Sequence, residues 1–310
     1  MLKGPHRAKL DNAEMERITS RQNAIVKRFR ELARASGAEI SEEILLDGPH
    51  LVQEALACHV PIEIAAFSER QLASARAPLA QMAADVRRQG GRVLGVTDQV
   101  LTAISPVEHP SGVVAIAHAQ FSTVTDAFSA SAAKAVPLDS ESIPRKRTGG
   151  MDSESEAALV LVLAGLQDPG NVGAIVRTAA ACGATGLVTI EGSANPFGWK
   201  ALRGAMGGTF RVPVAAHAPL TEVLRAAHTA HVHLVAAVPR GGTPLPELDL
   251  RRPTAIILGG EGAGVSDATA AAAAERVTIP MQRPIESLNV GVAAALILYE
   301  ASRQRQEMRT

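Results

Sequence analysis

The chain has 310 residues, enough for about two domains, and its hydrophobic share of 46% supports real cores although aromatics make up only 3%. Lysine plus arginine match aspartate plus glutamate at 31 each, so no global field announces a nucleic-acid partner and any such role must rest on local patches. No apolar run is long enough to span a bilayer, no charged-then-apolar signal segment opens the chain, and Cys58 and Cys182 lack metal-ligand or CxxC spacing; a cytoplasmic protein with two free thiols is expected.

Residues 1–20 are polar and are expected to form a flexible basic N-terminus. Within residues 1–36, nine Lys/Arg, among them Lys27 and Arg28, face four acids. That surplus suits RNA phosphates, and equally an ordinary solvated helical face. Asn23 to Ala35 has helical apolar spacing. Strands at Glu43–Asp47, Ile62–Phe67, Arg92–Thr97 and Gly112–His118 then alternate with helices at Pro49–Cys58, Glu69–Gln89 and Asp98–Ile104. This pattern predicts a small mixed sheet covered by helices over residues 21–120. Residues 121–156 are rich in Ser, Ala, Pro and Gly without sustained periodicity, and read as a linker carrying the basic triplet Arg145-Lys146-Arg147.

The second domain is expected over residues 157–310. It opens with the buried strand ALVLVLAGL and continues with a helix at Val172–Cys182 and a strand at Gly186–Glu191. A short helix in NPFGWKALRGAMGG follows, then a strand at Phe210–Val214, a helix at Leu220–Ala230 and a strand at His233–Val238. Strands at Thr254–Gly259 and Arg276–Ile279 flank an alanine-rich helix, and the last helix opens at Ser287-Leu288-Asn289. Six strands alternating with helices predict a largely parallel sheet with helices on both faces. Val290–Tyr299 has almost no polar residue, so this helix should be buried nearly all round, in a core or a subunit interface.

Three stretches can carry chemistry. In NVGAIVR, Asn171 sits at a helix mouth, and Gly173 shares a face with Arg177, leaving room beside a guanidinium whose fork of donors suits phosphate. In LGGEGAGV, glycines at a strand's carboxyl end allow close approach of a ligand, while Glu261 would repel a pyrophosphate and favours a neutral or cationic one. There is no P-loop, and a dinucleotide enzyme would need an acidic ribose-binding residue about 20 positions past a first-strand fingerprint, which is missing. In the third stretch, Ser287 and Asn289 form a hydrogen-bonding pair at the start of the last helix. Lys200, Arg203 and Arg211 surround the single tryptophan, Trp199, as a basic strip near a stacking ring. His231 and His233 find no third ligand at useful spacing, so no metal site is expected.

N-x-G-x-x-x-R, then L-G-x-E-x-x-G, then I-P-M…E-S-L-N-V, in this order, resembles the SpoU (TrmH) family of RNA ribose 2′-O-methyltransferases of the SPOUT class. The resemblance covers roughly Ala157 to Arg305, and Glu43 to His118 resembles the ribosomal-protein-like substrate-binding domain that often precedes it. It implies a SPOUT α/β fold: a trefoil-knotted parallel sheet with helices on both faces, preceded by a small α/β substrate-binding domain. It implies S-adenosylmethionine as cofactor, RNA as partner with ribosomal RNA favoured over transfer RNA, and a homodimer through helices that include the last one. Carried over by motif, the catalytic face comprises Asn171, Arg177, Glu261, Ser287 and Asn289. Cofactor contacts fall on Ala236, Ala237, Gly260, Ile279 and Leu288, and RNA contacts are expected at Lys27, Arg28, Lys200, Arg203 and Arg211. Arg283-Pro284 and Gly291 depart from the family pattern, which often has Gly and Ser there. The alternatives within this reading are a transfer-RNA methyltransferase and an RNA-binding relative that has lost activity.

Overall fold

Strand β1 (Glu16–Ile18) pairs in parallel with Leu94 to Val96 of β4 (Arg92–Val96). The expected loose N-terminus therefore includes a strand at its end, anchored by Ile18, which is 3% exposed. In this computed structural model, residues 15–35, 40–73, 78–129, 157–262 and 264–308 are described. They fall into two units, one of residues 1–35 with 41–119 and the other of 36–40 with 120–310.

In the first unit, α1 (Ala24–Arg34) begins where the Asn23 side chain accepts from Ile25 N–H at 2.8 Å. The helices α2 (Pro49–Ala57), α3 (Glu69–Ala73), α4 (Pro78–Arg88) and α5 (Asp98–Ile104) pack around a five-stranded sheet in the order β1-β4-β3-β5-β2. Here β2 is Glu43–Asp47, β3 Ile62–Ser68 and β5 Val113–His118. The sheet is mixed, as expected, since β5 runs antiparallel to both β2 and β3. The single long helix expected at Glu69–Gln89 is instead two, because Pro78 cannot continue a helix and starts a new one.

The second unit starts earlier than expected. α6 (Val124–Phe128) lies inside the stretch read as linker, and its Thr123 and Asp126 form a reciprocal capping box. Val124, Ala127 and Phe128, spaced i, i+3, i+4, join the unit's core with Val160, Val162, Val188 and Ile257. Arg145-Lys146-Arg147 lie outside the described residues.

Seven parallel strands follow in the order β10-β12-β9-β11-β6-β7-β8 among the described residues. They are β6 (Leu159–Ala164), β7 (Gly186–Ile190), β8 (Val214–Ala218), β9 (His233–Ala237), β10 (Thr243–Pro244), β11 (Thr254–Gly259) and β12 (Glu275–Thr278). The strand expected at Phe210–Val214 is displaced, because Gly208–Phe210 turn as a short 3-10 helix and β8 begins only at Val214. From β6 the chain builds outward through β7 and β8, then returns to the other side of β6 with β9 and β11. Strands β6 and β11 are thus the switch point, and such sheets place ligands beyond the carboxyl ends of those strands.

Helices α7 (Pro169–Ala181), α8 (Trp199–Ala205), α9 (Leu220–Thr229), α10 (Asp267–Ala272) and α11 (Val290–Glu307) complete the unit. The far end of α11 is pinned by polar bonds. Gln304 accepts from Leu250 N–H at 2.8 Å and donates to Leu248 O at 2.9 Å, and Arg305 donates to Leu250 O at 2.8 Å and Ala158 O at 3.0 Å. These bonds fix the axis of α11 and so aim its first turn at the switch point.

Candidate active site

Three chain segments meet at that switch point. The first follows β6. Asp168 caps α7, accepting from Gly170 N–H at 2.9 Å with Pro169 in the first turn, so α7 starts three residues before the expected Val172. Asn171 is therefore not the cap. It stands within the first turn with its side chain free to bond across the site.

The second segment follows β11. A Cβ on Gly259 would lie 2.0 Å from the Gly264 carbonyl carbon, and one on Gly260 would lie 2.2 Å from Gly165 O at the end of β6. Only bare backbone allows the two strand ends to approach and the turn to fold back, with Gly264 N–H donating to Gly260 O at 3.0 Å. The turn holds Glu261 exposed at its tip.

The third segment is the polar run before α11. Asn289 caps that helix, its Oδ1 accepting from Gly291 N–H at 2.9 Å and Val292 N–H at 3.3 Å. Its Nδ2 donates to Asn171 Oδ1 at 3.2 Å, and Asn171 Nδ2 donates to the Glu261 carboxylate. One chain of hydrogen bonds thus ties all three motifs together. The order of donors is fixed from one end, because the carboxylate only accepts and so dictates how each amide is turned.

Arg177 lies two turns along α7, exposed and without a hydrogen-bond or ion-pair partner among the described residues. Gly173 does not make room for it, as the sequence had suggested. Gly173 is buried and faces α8, where a Cβ would sit 2.4 Å from Ala201 O and 2.9 Å from Gly204 Cα. The bare glycine serves helix packing against α8, while Arg177, one turn further along α7, is exposed.

Ser287 and Leu288 are exposed beside Asn289, Leu288 at 37%. Ile279 and Gly260 are partly exposed, while Ala237 ends β9. Ala236 has no exposed surface and pairs in register with Ile257 of β11 and Arg276 of β12. Sequence reading missed Arg240, which follows β9 and pairs with Glu286 at 2.8 Å, joining the loop after β9 to the run before α11. Both partners are more than 70% exposed, so the pair orders the loops only weakly.

The residues expected to touch RNA divide. Lys200 lies 5.4 Å from the Trp199 ring centroid and is exposed on α8 with Arg203, while Arg211 follows the 3-10 turn. Lys27 is exposed on α1, but Arg28 is not available in the same way: its guanidinium bonds the Glu43 carboxylate at 2.5 Å and that of Glu63. His233 bonds Glu275 at 3.1 Å, and no group of three or more potential metal ligands gathers among the described residues.

This is the build of an α/β catalytic domain that takes its ligand at the carboxyl ends of parallel strands. Residues 158–299 match the model of the SpoU rRNA Methylase family, and residues 23–115 match the MRM3-like substrate binding domain. The chain is 33% identical over 294 residues to an uncharacterised tRNA/rRNA methyltransferase of Synechocystis, covering 94% of this chain and 96% of that one. It is 28% identical over 286 residues to the 23S rRNA (guanosine(2553)-2′-O)-methyltransferase RlmP of Bacillus subtilis, covering 92% of this chain and 98% of that one. Among solved structures, the AdoMet-bound rRNA methyltransferase of Sinorhizobium meliloti superposes with a TM-score of 0.75 at 27% identity, covering 93% of this chain and 98% of that one. The chain belongs to the SpoU rRNA methylase family.

Proposed function

We propose that this protein transfers a methyl group from S-adenosylmethionine to a ribose 2′-hydroxyl of ribosomal RNA. The observation that carries the reading is the Glu261–Asn171–Asn289 hydrogen-bond chain, which joins three motifs at the start of the helix that further along carries the exposed Arg177. The surroundings fit the cofactor. The N–H groups of Glu286, Ser287, Leu288 and Asn289 carry no hydrogen bond among the described residues, and Leu288 and partly exposed Ile279 offer apolar surface for a nucleoside. When bound there, with contacts at Ala237, Gly260, Ile279 and Leu288, S-adenosylmethionine supplies an electrophilic methyl on a sulfonium.

The chain's own residues do the rest by orientation. A guanidinium offers a planar fork of donors and no acceptor, so Arg177 serves as a clamp on the neighbouring RNA phosphate and not as a base. Asn289 keeps one Nδ2 hydrogen beyond its bond to Asn171, and with Ser287 it aligns the ribose hydroxyl. Glu261 acts through Asn171 by fixing which way both amides point. The hydroxyl proton leaves through the phosphate or water.

The same reading assigns RNA binding to residues 21–120 and methyl transfer to 157–310, with Lys200, Arg203 and Arg211 as RNA contacts on the catalytic unit. It assigns the C-terminal segment to a trefoil knot, a reading supported by the lie of α11 between α7 and the loop pinned at Leu248 and Leu250. It also assigns a homodimer, supported by Val292, Leu296 and Tyr299, which are 49%, 42% and 67% exposed on one side of α11. A cytoplasmic location accords with the absence of any described helix long and apolar enough to cross a membrane.

The test is to incubate the protein with labelled S-adenosylmethionine and separated ribosomal and transfer RNA, then map the modified ribose. Label on a 2′-oxygen of ribosomal RNA is expected. Label confined to transfer RNA overturns the substrate, and failure to bind S-adenosylmethionine in calorimetry identifies an inactive RNA-binding relative.

A further inference from the structure

The described arginines of the first unit fall into two groups. Arg17 pairs with Glu69 at 2.7 Å, Arg70 with Asp98 at 3.4 Å, Arg88 with Asp85 at 2.6 Å, Arg28 with Glu43 and Glu63, and Arg92 with Glu16. Arg21, Arg30, Arg34 and Arg87 have no carboxylate partner among the described residues. Three of these four line one open cavity of about 510 Å³ between α1 and the end of α5, with Ala33, Thr102 and Ser105.

The charges in this cavity are concentrated against their own repulsion. Arg30 and Arg34 are four apart on α1, so they share a face, and Lys27 extends that stripe by one turn. Glu31 is exposed on the same helix and forms no ion pair with any of them. On the opposite wall the Ser105 hydroxyl is taken up by Asp47 at 2.8 Å, and the Thr102 hydroxyl donates to Asp98 O at 2.9 Å. The side-chain donors left free in the cavity are therefore the guanidinium N–H groups, which suit anions with several acceptor oxygens.

We infer that this cavity binds phosphates of the RNA backbone, making Arg21, Arg30 and Arg34 the anchor of the first unit on its RNA. The inference deepens the RNA-directed reading above and rests on it. RNA is favoured over a free phosphate because the basic stripe runs on past the cavity to Lys27, as a polymer of evenly repeated charge requires. Phosphate contacts of this kind position a substrate without reading its sequence.

The test uses the full chain and fluorescence anisotropy with deproteinised large-subunit ribosomal RNA at several salt concentrations. The double variant Arg30→Gln, Arg34→Gln is expected to bind at least about tenfold more weakly, with the salt slope reduced by about two. Thr102→Glu, which inserts a carboxylate from the other wall and leaves α1 untouched, is expected to weaken binding as well. Calorimetry with S-adenosylmethionine on the same samples reports whether the catalytic unit is intact. If both variants fold and bind RNA with wild-type affinity and salt slope, the cavity is not the anchor, and the methyl-transfer reading is unaffected. If the wild type binds RNA through these arginines but takes up no S-adenosylmethionine, the methyl-transfer reading fails and the anchor stands. Inorganic pyrophosphate is the remaining arm: should it occupy the cavity more tightly than RNA, the site serves a small anion and the RNA assignment is wrong.

Discussion

Asn289 donates to Asn171 across 118 positions of sequence, at 3.2 Å, while its own Oδ1 caps α11. One side chain thus holds a helix start and a catalytic motif together, and the two duties are separable by mutation. Asn289→Asp keeps an oxygen for the cap but turns a second oxygen toward Asn171 Oδ1, and Asn171 cannot flip without presenting its oxygen to Glu261. Methyl transfer is expected to fall by about 10²–10³, the usual cost of losing one preorganised donor, with the melting temperature nearly unchanged. Asn289→Ala should lose the activity and also about 1 kcal/mol of stability with the cap. An aspartate variant at full rate would reduce Asn289 to a cap.

Arg177 is unpartnered, so its replacement disturbs no internal ion pair and reports on the substrate alone. Arg177→Lys keeps the charge and removes the bidentate fork. Single-turnover methyl transfer is expected to drop by about 10², as for a reacting group held about 1 Å off, while RNA binding changes little. Near-full turnover by the lysine variant, with RNA binding intact, refutes the clamp.

Much of this arrangement was legible in the sequence. The alternation of apolar runs marked most strands of both units, though not β1 or β10 and with β8 misplaced, and the three polar motifs at strand ends meet through hydrogen bonds. Part of what escaped was local. The linker concealed α6, although Thr123 and Asp126 at capping-box spacing before Val124, Ala127 and Phe128 were a readable signal. Asp168-Pro169 likewise marked the true start of α7. The order β11-β6 at the centre of the sheet was not readable, because strand order depends on long-range packing that no local period encodes. Nor was the commitment of Arg28 to Glu43 and Glu63, which depends on two strands distant in sequence. The last helix, read as apolar all round, leaves one side uncovered within the single chain.

The contact between α7 and α8 gives a stability prediction. Gly173→Ala would drive a methyl group to 2.4 Å from Ala201 O, against backbone that cannot swing away as a side chain would. The variant is expected to lose about 1–3 kcal/mol, the typical cost of overpacking, seen as a lower denaturant midpoint at an unchanged slope. Wild-type stability would mean that α8 is free to shift.

The first unit should carry an acid-sensitive link. The hydrogen bond from Arg28, with its charge adding to the effect, holds the Glu63 carboxyl below the ordinary glutamate value. Because the folded pKa is the lower one, the stabilisation is fully present at neutral pH and is lost as pH falls through the glutamate range toward the folded pKa. Glu63→Gln is expected to be less stable at pH 7 and to lose less stability on acidification, measured by chemical unfolding at pH 7 and pH 4. Parallel pH dependence of the two proteins would show that the pair contributes nothing.

The uncovered side of α11 makes the last prediction. Val292, Leu296 and Tyr299 recur at i, i+4 and i+7, so they form one stripe, and α11 buries Ala294, Ile297, Leu298 and Ala301 on the opposite side. A second copy packing the same stripe would cover it by two-fold symmetry, and any substitution there would then count twice. Tyr299→Glu places two carboxylates in such an interface while leaving the intramolecular face of α11 intact. Sedimentation velocity is expected to show a dimer for the wild type and a monomer for the variant, with the fold of each chain retained by circular dichroism. A wild type that sediments as a monomer throughout the micromolar range, or a variant that still pairs, would mean that the stripe is not the contact between copies.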